Sequence, residues 1–278
     1  MEAIPDAFID ELVMSSSWIS GFSRRALKLS DPYSSLTETY LKHCHKKTFY
    51  LENGDLGRIS YVDLKATELQ PQNVRSQYRK FTALEYDVFN SAVPQVADAI
   101  FDKFVLEKGV FSLILCSSQI NDNWVKQFSS WQKLVSVSIE TKVNETVTKL
   151  LDKLLNQKQI LDLSFSICGD QEIKWGCEFL QQDQFRCLSI AVHQNVLEER
   201  ILDLWESEKT TLSGKTVAWW SRVMLHDESF QKVNGVKEER RRYEARDRVV
   251  EYINRHGKPE MTEEEFMEGV NVSSLRFL

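Results

Sequence analysis

Residues 134–165, which read LVSVSIETKVNETVTKLLDKLLNQKQILDLSF, combine two periodicities in one stretch of chain. Apolar residues alternate with serine over residues 134–139, the period-two pattern of a strand with one buried face and one solvated face. After Asn144, a residue suited to begin a helix, apolar residues recur at helical spacing, at Val147, Leu150, Leu151, Leu154 and Leu155. Alternation then returns over residues 160–165. The stretch therefore predicts strand, helix and strand in succession.

Alternations of this kind occur six times beyond about residue 80. Their central residues are Leu84, Leu113, Val137, Leu163, Leu188 and Val217, which are 29, 24, 26, 25 and 29 positions apart. Amphipathic helical patterns lie between them, as the crossover connections of a parallel sheet require. Leucine-rich repeats pair one strand with one helix in about 20–29 residues. The spacing predicts the fold class α/β, in the form of a leucine-rich-repeat-like strand–helix solenoid. An ordinary α/β sheet with evenly sized units is the alternative.

The regions on either side of the repeats carry other patterns. Asn53-Gly54 separates two strand-like runs and predicts a tight β-hairpin. In the run from Val236 to Val250, the apolar residues Val236, Tyr243 and Val250 are seven apart among charges of both signs, which predicts an amphipathic helix that caps the solenoid. The predicted organisation is a small helical module at 1–46, a β-hairpin and linker at 47–79, a leucine-rich-repeat-like domain at 80–230, and a C-terminal charged helix and tail at 231–278.

Composition limits the classes of partner. The chain has 278 residues, 42% of them hydrophobic, and a formal net charge of −6 at pH 7. This acidic balance argues against nucleic acid and anionic membranes as partners, because both repel negative charge. The first residues lack the basic region of a signal peptide, and no window approaches about eighteen uninterrupted apolar residues. The five cysteines include no CxxC pair, which is typical of reduced thiols, so the expected location is the cytoplasm or the nucleus.

The sequence carries none of the common motifs for catalysis or metal binding. The sequence has no nucleophile elbow, no phosphate-binding glycine loop, no dinucleotide fingerprint and no zinc-protease motif. His43-Cys44-His45 is the nearest pattern to a metal cluster, but neighbours on a helix point about 100° apart and do not converge on one ion. His226-Asp227 lies in a predicted loop without a serine or cysteine partner. These observations predict a protein that is not an enzyme and has no cofactor and no metal site.

The run IPDAFI at residues 4–9 resembles the opening of an F-box, a small helical module that begins with an aliphatic-proline pair. Its form looks like the start of the nematode F-box-like proteins whose remainder is leucine-rich-repeat-like. The resemblance implies docking on a Skp-type adaptor of a cullin ubiquitin ligase, with contacts at Ile4, Pro5, Phe8, Ile9, Leu12, Leu27, Leu29 and Leu36. Tyr40 or His43 stands where an F-box usually has tryptophan. Packing of the first helix on the body of the protein is the alternative.

The predicted sheet has one solvated face, because serines recur between the apolar residues of its strands. This concave face is the expected binding surface for a protein target. The predicted partner-binding residues are Glu85, Tyr86, Ser112, Ser136, Ser138, Asp162, Ser164, Ser189, Trp219 and Trp220. Strand alternation points one of the two paired tryptophans inward and the other outward. We therefore expect a non-enzymatic protein-binding adaptor that resembles a ubiquitin-ligase substrate receptor, or else a stand-alone binding or neutralising module that no longer contacts a cullin adaptor.

Overall fold

The computed structural model describes residues 33–63, 67–75, 79–88, 110–167, 169–191 and 195–278. The chain divides into two compact units, residues 1–114 and residues 115–278. The described residues form twelve strands and seven α-helices, so the fold is mixed α/β, as the alternating sequence patterns predict. The division between the units falls inside the region predicted as a single repeat domain, residues 80–230.

The first unit contains a hairpin joined to a parallel strand. Its elements are, in chain order, α1 (Tyr33–His43), β1 (His45–Glu52), β2 (Asp55–Asp63), a short 3-10 helix (Pro71–Asn73), β3 (Arg79–Asp87) and β4 (Val110–Leu115), whose last residue begins the second unit. β1 pairs antiparallel with β2 and parallel with β3. The turn between β1 and β2 is Asn53-Gly54, with φ angles of 52° and 90° in the left-handed region that suits this dipeptide. The predicted hairpin is therefore confirmed.

The second unit alternates strands and helices and then becomes antiparallel. Its elements are α2 (Asp122–Ser129), β5 (Leu134–Ile139), α3 (Glu145–Gln157), β6 (Asp162–Phe165), α4 (Asp170–Leu180), β7 (Cys187–Ile190), α5 (Asn195–Ser207), α6 (Lys209–Leu212), β8 (Thr216–Trp219), β9 (Gln231–Val233), β10 (Arg240–Glu244), β11 (Arg248–Ile253), α7 (Glu263–Glu268) and β12 (Val272–Phe277). Neighbouring strands follow the order β5-β6-β7-β8-β12-β11-β10-β9.

Strands β5 to β8 are parallel, and the residues predicted as equivalent pair with one another. Val137 is the register partner of Leu163, Leu163 of Leu188, and Leu188 of Val217. All four side chains are at most 1% exposed. The prediction of parallel strands near these four positions is confirmed, and Leu84 and Leu113 also lie in strands, β3 and β4.

Helices α2 and α3 begin at asparagine caps, and each buries one face. The Asn121 side chain accepts hydrogen bonds from the backbone at the start of α2, and the Asn144 side chain does the same for α3, accepting from Val147 N at 2.9 Å. The apolar stripe of α3 is buried, as its spacing predicts. In α4, Gly176 allows close packing on β7, since a Cβ there would lie 2.9 Å from Leu188 Cδ2. The helices therefore cover one side of the parallel strands.

Successive strand–helix repeats are also joined by long polar side chains. Gln157 Nε2 donates to Ser129 O at 2.6 Å, and Gln182 Nε2 donates to Leu155 O at 2.6 Å. The buried Lys215 Nζ donates to Leu180 O and to Gln182 O, both at 2.7 Å. The last carbonyls of a helix have no partner within the helix, so these side chains satisfy groups that burial would otherwise leave unpaired.

The predicted C-terminal capping helix is wrong. Most of the run from Val236 to Val250 belongs to β10 and β11, which form an antiparallel hairpin and join the sheet through β12 and β8. Tyr243 and Val250 are seven apart because they face each other across this hairpin as register partners, and both are buried. A spacing of seven thus arose from strand pairing instead of from two turns of a helix. The region 231–278 contains four strands, β9 to β12, and one short helix, α7.

Candidate functional site

The parallel strands of the second unit present two rows of small, mostly polar side chains on the side away from the helices. The first row is Ser136, Asp162, Cys187 and Thr216, and the second is Ser138, Ser164, Ser189 and Ala218; each member is the register partner of the next. Register partners point to the same side of a sheet. All eight side chains are partly exposed. We call this surface the open face.

The antiparallel strands continue both rows with charged residues. Ala218 pairs with Ser274, Ser274 with Glu251, and Glu251 with Arg242. The other row passes from Thr216 to Arg276. Sequence reasoning missed this extension because it assigned residues 236–250 to a helix. The segment Arg240–Glu244 reads RRRYE and has no period-two alternation, so no local signal indicated a strand there.

Ion pairs neutralise much of this charged extension. Glu251 lies 3.4 Å from Arg242 Nη1 and 3.5 Å from Arg240 Nη1, and Arg242 Nε donates to Glu244 at 2.7 Å. All of these side chains are partly exposed, so each pair contributes little to stability. These ion pairs keep the guanidinium groups of Arg240 and Arg242 next to carboxylates. The extension therefore presents alternating charge instead of a uniformly basic patch.

The thiol on the open face is not chemically activated. Burial, followed by the nearby Asp162 carboxylate, raises the pKa of Cys187 to about 11. Its Sγ lies 3.8 Å from Ser189 Oγ. A thiol with this pKa is protonated at neutral pH and is a poor nucleophile. The open face thus offers hydrogen-bonding groups and shape to a partner.

Five of the predicted partner-binding residues lie together on the open face, and three others are buried. Ser136, Ser138, Asp162, Ser164 and Ser189 all lie on the open face. Trp220, just beyond β8, is 60% exposed, and Glu85 in β3 is partly exposed. Tyr86, Ser112 and Trp219 are buried, which corrects the prediction that a partner contacts them.

Strand phase accounts for two of these three corrections. Tyr86 lies two positions after Leu84, and Trp219 lies two positions after Val217, so both follow the buried phase of their strands. Ser112 lies in the opposite phase of β4, between Val110 and Ile114 on the same side of the strand. Its side chain is 7% exposed, although Val110 and Ile114 on the same side are partly exposed. Of the tryptophan pair, Trp219 points inward and Trp220 outward, as alternation predicts.

The predicted adaptor contacts lie almost entirely outside the described residues. This applies to Ile4, Pro5, Phe8, Ile9, Leu12, Leu27 and Leu29. Leu36 belongs to α1. The F-box-like module therefore stays a prediction.

A second group of polar residues, missed by sequence reasoning, surrounds His226. Its ring stacks on Tyr243 with centroids 3.9 Å apart, and its Nδ1 lies 2.7 Å from Tyr252 Oη. Tyr243 Oη donates to Glu263, which also pairs with Lys232. Burial is the largest cause that lowers the pKa of His226, so the imidazole is neutral at pH 7. Residues this far apart in sequence give no local signal of their proximity.

Metal-binding clusters and membrane-spanning helices are both absent from the described ranges. In those ranges no group of three or more His, Cys, Asp or Glu side chains is placed to hold a metal ion. Nor does any helix in the described part of the chain combine the length and the apolar composition needed to cross a bilayer. No family model, no curated protein and no solved structure matches this chain.

Proposed function

We propose that this chain is a non-enzymatic protein-binding adaptor that captures a protein target on the open face of its second unit. The observation that carries the proposal is the alignment of Ser136, Ser138, Asp162, Ser164 and Ser189 in two adjacent, partly exposed rows. Small hydroxyl groups at regular spacing favour hydrogen-bonded contacts with a protein backbone or with polar side chains. The exposed Trp220 next to these rows supplies the kind of large side chain that dominates binding energy in protein interfaces.

The repeats are best interpreted as a leucine-rich-repeat-like stack. Two features favour this interpretation over an ordinary α/β sheet. The four equivalent residues from Val137 to Val217 pair in register. In addition, Gln157, Gln182 and Lys215 each bond to the carbonyls of the preceding repeat. In such a stack each repeat buries its apolar face against its neighbours, which leaves the strand face open to a partner.

The resemblance of residues 4–9 to an F-box supports a more specific role. The N-terminal module would dock on a Skp-type adaptor of a cullin ubiquitin ligase while the open face holds the target. This role places the protein in the cytoplasm or the nucleus. The alternative is a stand-alone binding or neutralising module without adaptor contact, which the residues at the position of the usual F-box tryptophan, Tyr40 or His43, favour.

The open-face part of the proposal is tested by adding bulk and charge. The full chain carrying Ser138→Lys and Ser164→Lys is compared with wild type for proteins that co-purify from cell extract. The control carries Asn156→Lys and Ser207→Lys, the same change of charge at exposed helical positions. We expect the Ser138/Ser164 variant to lose its specific partners and the control to retain them, with equal thermal unfolding. Equal partner recovery from both variants would refute the assignment of the open face.

The adaptor part is tested separately with a purified Skp-type adaptor. Wild type is expected to retain the adaptor on an affinity resin, and the triple variant Ile4→Ala, Pro5→Ala and Phe8→Ala is expected to lose it while its unfolding midpoint stays unchanged. Failure of wild type to retain the adaptor would favour the stand-alone module. Global unfolding of the triple variant would instead identify these residues as core.

A further inference from the structure

A third row of side chains crosses the open face at the point where the parallel strands end. The residues that follow β6, β7 and β8 each donate a backbone hydrogen bond of 2.9 Å to the preceding strand, which continues the strand pairing by one residue. Alternation turns these residues toward the open face, because the last residue of each strand is buried. Glu140, which follows β5, is also on this side, since Ser138 Oγ donates to its Oε1 at 3.5 Å. The third row begins with Glu140, Ser166, Ala191 and Trp220.

The antiparallel strands extend the third row beyond β8. The register between β8 and β12 places Val272 beside Trp220. Val272 pairs with Ile253, and Ile253 pairs with Arg240. These three side chains are partly exposed. From β5 to β10 the complete row is therefore Glu140, Ser166, Ala191, Trp220, Val272, Ile253 and Arg240.

Trp220 is the midpoint of this row, and the two ends carry opposite charge. Glu140 lies three strands from Trp220 on one side and Arg240 lies three strands from it on the other, about 14 Å away in each direction at the usual strand spacing. The small residues Ser166 and Ala191 occupy the two steps on the acidic side, and aliphatic residues occupy the two equivalent steps on the basic side. The row is therefore complementary in charge and in size to the same row read in reverse.

We propose that a second copy of this chain packs face to face on the open face, about a two-fold axis that runs along β8. A rotation of 180° about this axis reverses the order of the strands and keeps the third row opposite itself. Glu140 of each copy then faces Arg240 of the other, the small side chains face the aliphatic ones, and the two Trp220 rings pack together at the axis. Because a two-fold interface uses the same surface on both copies, each off-axis contact is made twice.

The side chains that this dimer uses are accessible in the single chain. Trp220 is 60% exposed, and a tryptophan buried at the centre of an interface is among the residues that contribute most to binding. None of the ion pairs formed by the described residues includes Glu140. Arg240 Nη1 lies 3.5 Å from Glu251, but both side chains are partly exposed, so this pair leaves Arg240 able to contact a second carboxylate.

The extent of the contact predicts a weak dimer. Six strand steps span about 29 Å and three rows of side chains about 20 Å, so each copy would bury roughly 600 Å², or about 1,200 Å² in total. This total is at the lower limit for a specific interface. One consequence rests on the proposed function: a target captured on the open face has to displace the second copy, so dimerisation limits capture.

The test exchanges the two charges and measures dimerisation of the full chain by sedimentation velocity at about 100 µM. Wild type is expected to be dimeric. Glu140→Arg opposes two cations at each contact and Arg240→Glu opposes two anions, so each variant alone should dimerise at least about 30-fold more weakly than wild type. An equal mixture of the two variants pairs opposite charges at both contacts and should recover wild-type dimerisation. Monomeric wild type, or a mixture no more dimeric than its components, would overturn the proposal.

Matched controls place the same charge changes on the helix-covered side. Glu145→Arg and Lys153→Glu, both at exposed positions of α3, should dimerise as wild type does. Trp220→Ser should be monomeric, and if a charge variant fails to fold, an unchanged dimer in Trp220→Ser overturns the proposal instead. Monomeric wild type would leave target capture standing as long as the Ser138/Ser164 variant loses its partners. Partner recovery by that variant, together with a wild-type dimer, would refute target capture alone.

Discussion

Replacement of Lys215 by methionine tests whether the polar bonds between repeats stabilise the second unit. The change keeps most of the apolar volume of the side chain and removes the two 2.7 Å bonds to Leu180 O and Gln182 O. Each unpaired buried carbonyl costs about 1–3 kcal/mol, and relief of the burial that lowers the pKa of Lys215 offsets part of this cost. We expect a net loss of about 2 kcal/mol in the local free energy of unfolding.

Amide hydrogen exchange followed by mass spectrometry measures this loss where it occurs. A change of about 2 kcal/mol corresponds to roughly 30-fold faster exchange in the peptides that cover α4 and β8. Lys209→Met is the control, because Lys209 is exposed and its Nζ lies 3.8 Å from Asp247. Its loss should change exchange by no more than about twofold. Unchanged or slower exchange in Lys215→Met would refute the reasoning, since burying the amine would then cost as much as its bonds contribute.

Three further predictions concern pH, the hairpin and the open face. Because burial lowers the pKa of His226, the folded protein binds a proton at this imidazole less tightly than the unfolded chain does. The neutral imidazole therefore makes its full contribution to the free energy of unfolding above about pH 6.5, and this contribution is lost as the pH falls through the folded pKa. Urea titrations should therefore show a smaller decrease in stability below pH 6.5 in His226→Gln than in wild type, and equal decreases would contradict the assignment. Gly54→Ala should destabilise the first unit by about 1 kcal/mol, since φ is 90° there, whereas Gly57→Ala meets only the flexible Glu52 side chain and should have little effect in the same titration. Cys187, with a pKa of about 11, should react slowly with iodoacetamide at pH 7, and its rate of labelling, measured by peptide mapping, should rise with pH up to about pH 11. Rapid labelling at pH 7 would contradict the burial of this thiol.

Local periodicity was sufficient to predict the parallel strands and their register. Val137, Leu163, Leu188 and Val217 each occupy the centre of a short alternation, and helices of similar length return the chain to the same level each time. Residue type also marked where α3 begins, because Asn144 caps it. The rows of serine on the open face follow directly from these assignments, since register and alternation together determine which side chains are neighbours.

Pairing between distant segments was not predictable in this way. Tyr243 and Val250 fit a helix stripe as well as a hairpin, and the partner that decides between the two is β12. The same limit applies to the group around His226, which joins Tyr243, Tyr252 and Glu263 from separate segments. Burial of Tyr86 was missed for another reason. Its phase in the strand favoured the core, but this large side chain was predicted to contact a partner.

Strand β8 is parallel to β7 on one side and antiparallel to β12 on the other. A parallel array can in principle grow by duplication of a strand–helix repeat at any strand, but a new repeat after β8 would have to displace β12. Gene duplications that lengthen the array are therefore expected before β8, for example between β6 and β7. The change of direction also removes the last repeat strand as a template for a second chain. In the described part of the second unit the sheet instead ends at the three-residue β9, which is too short to support edge-to-edge polymerisation.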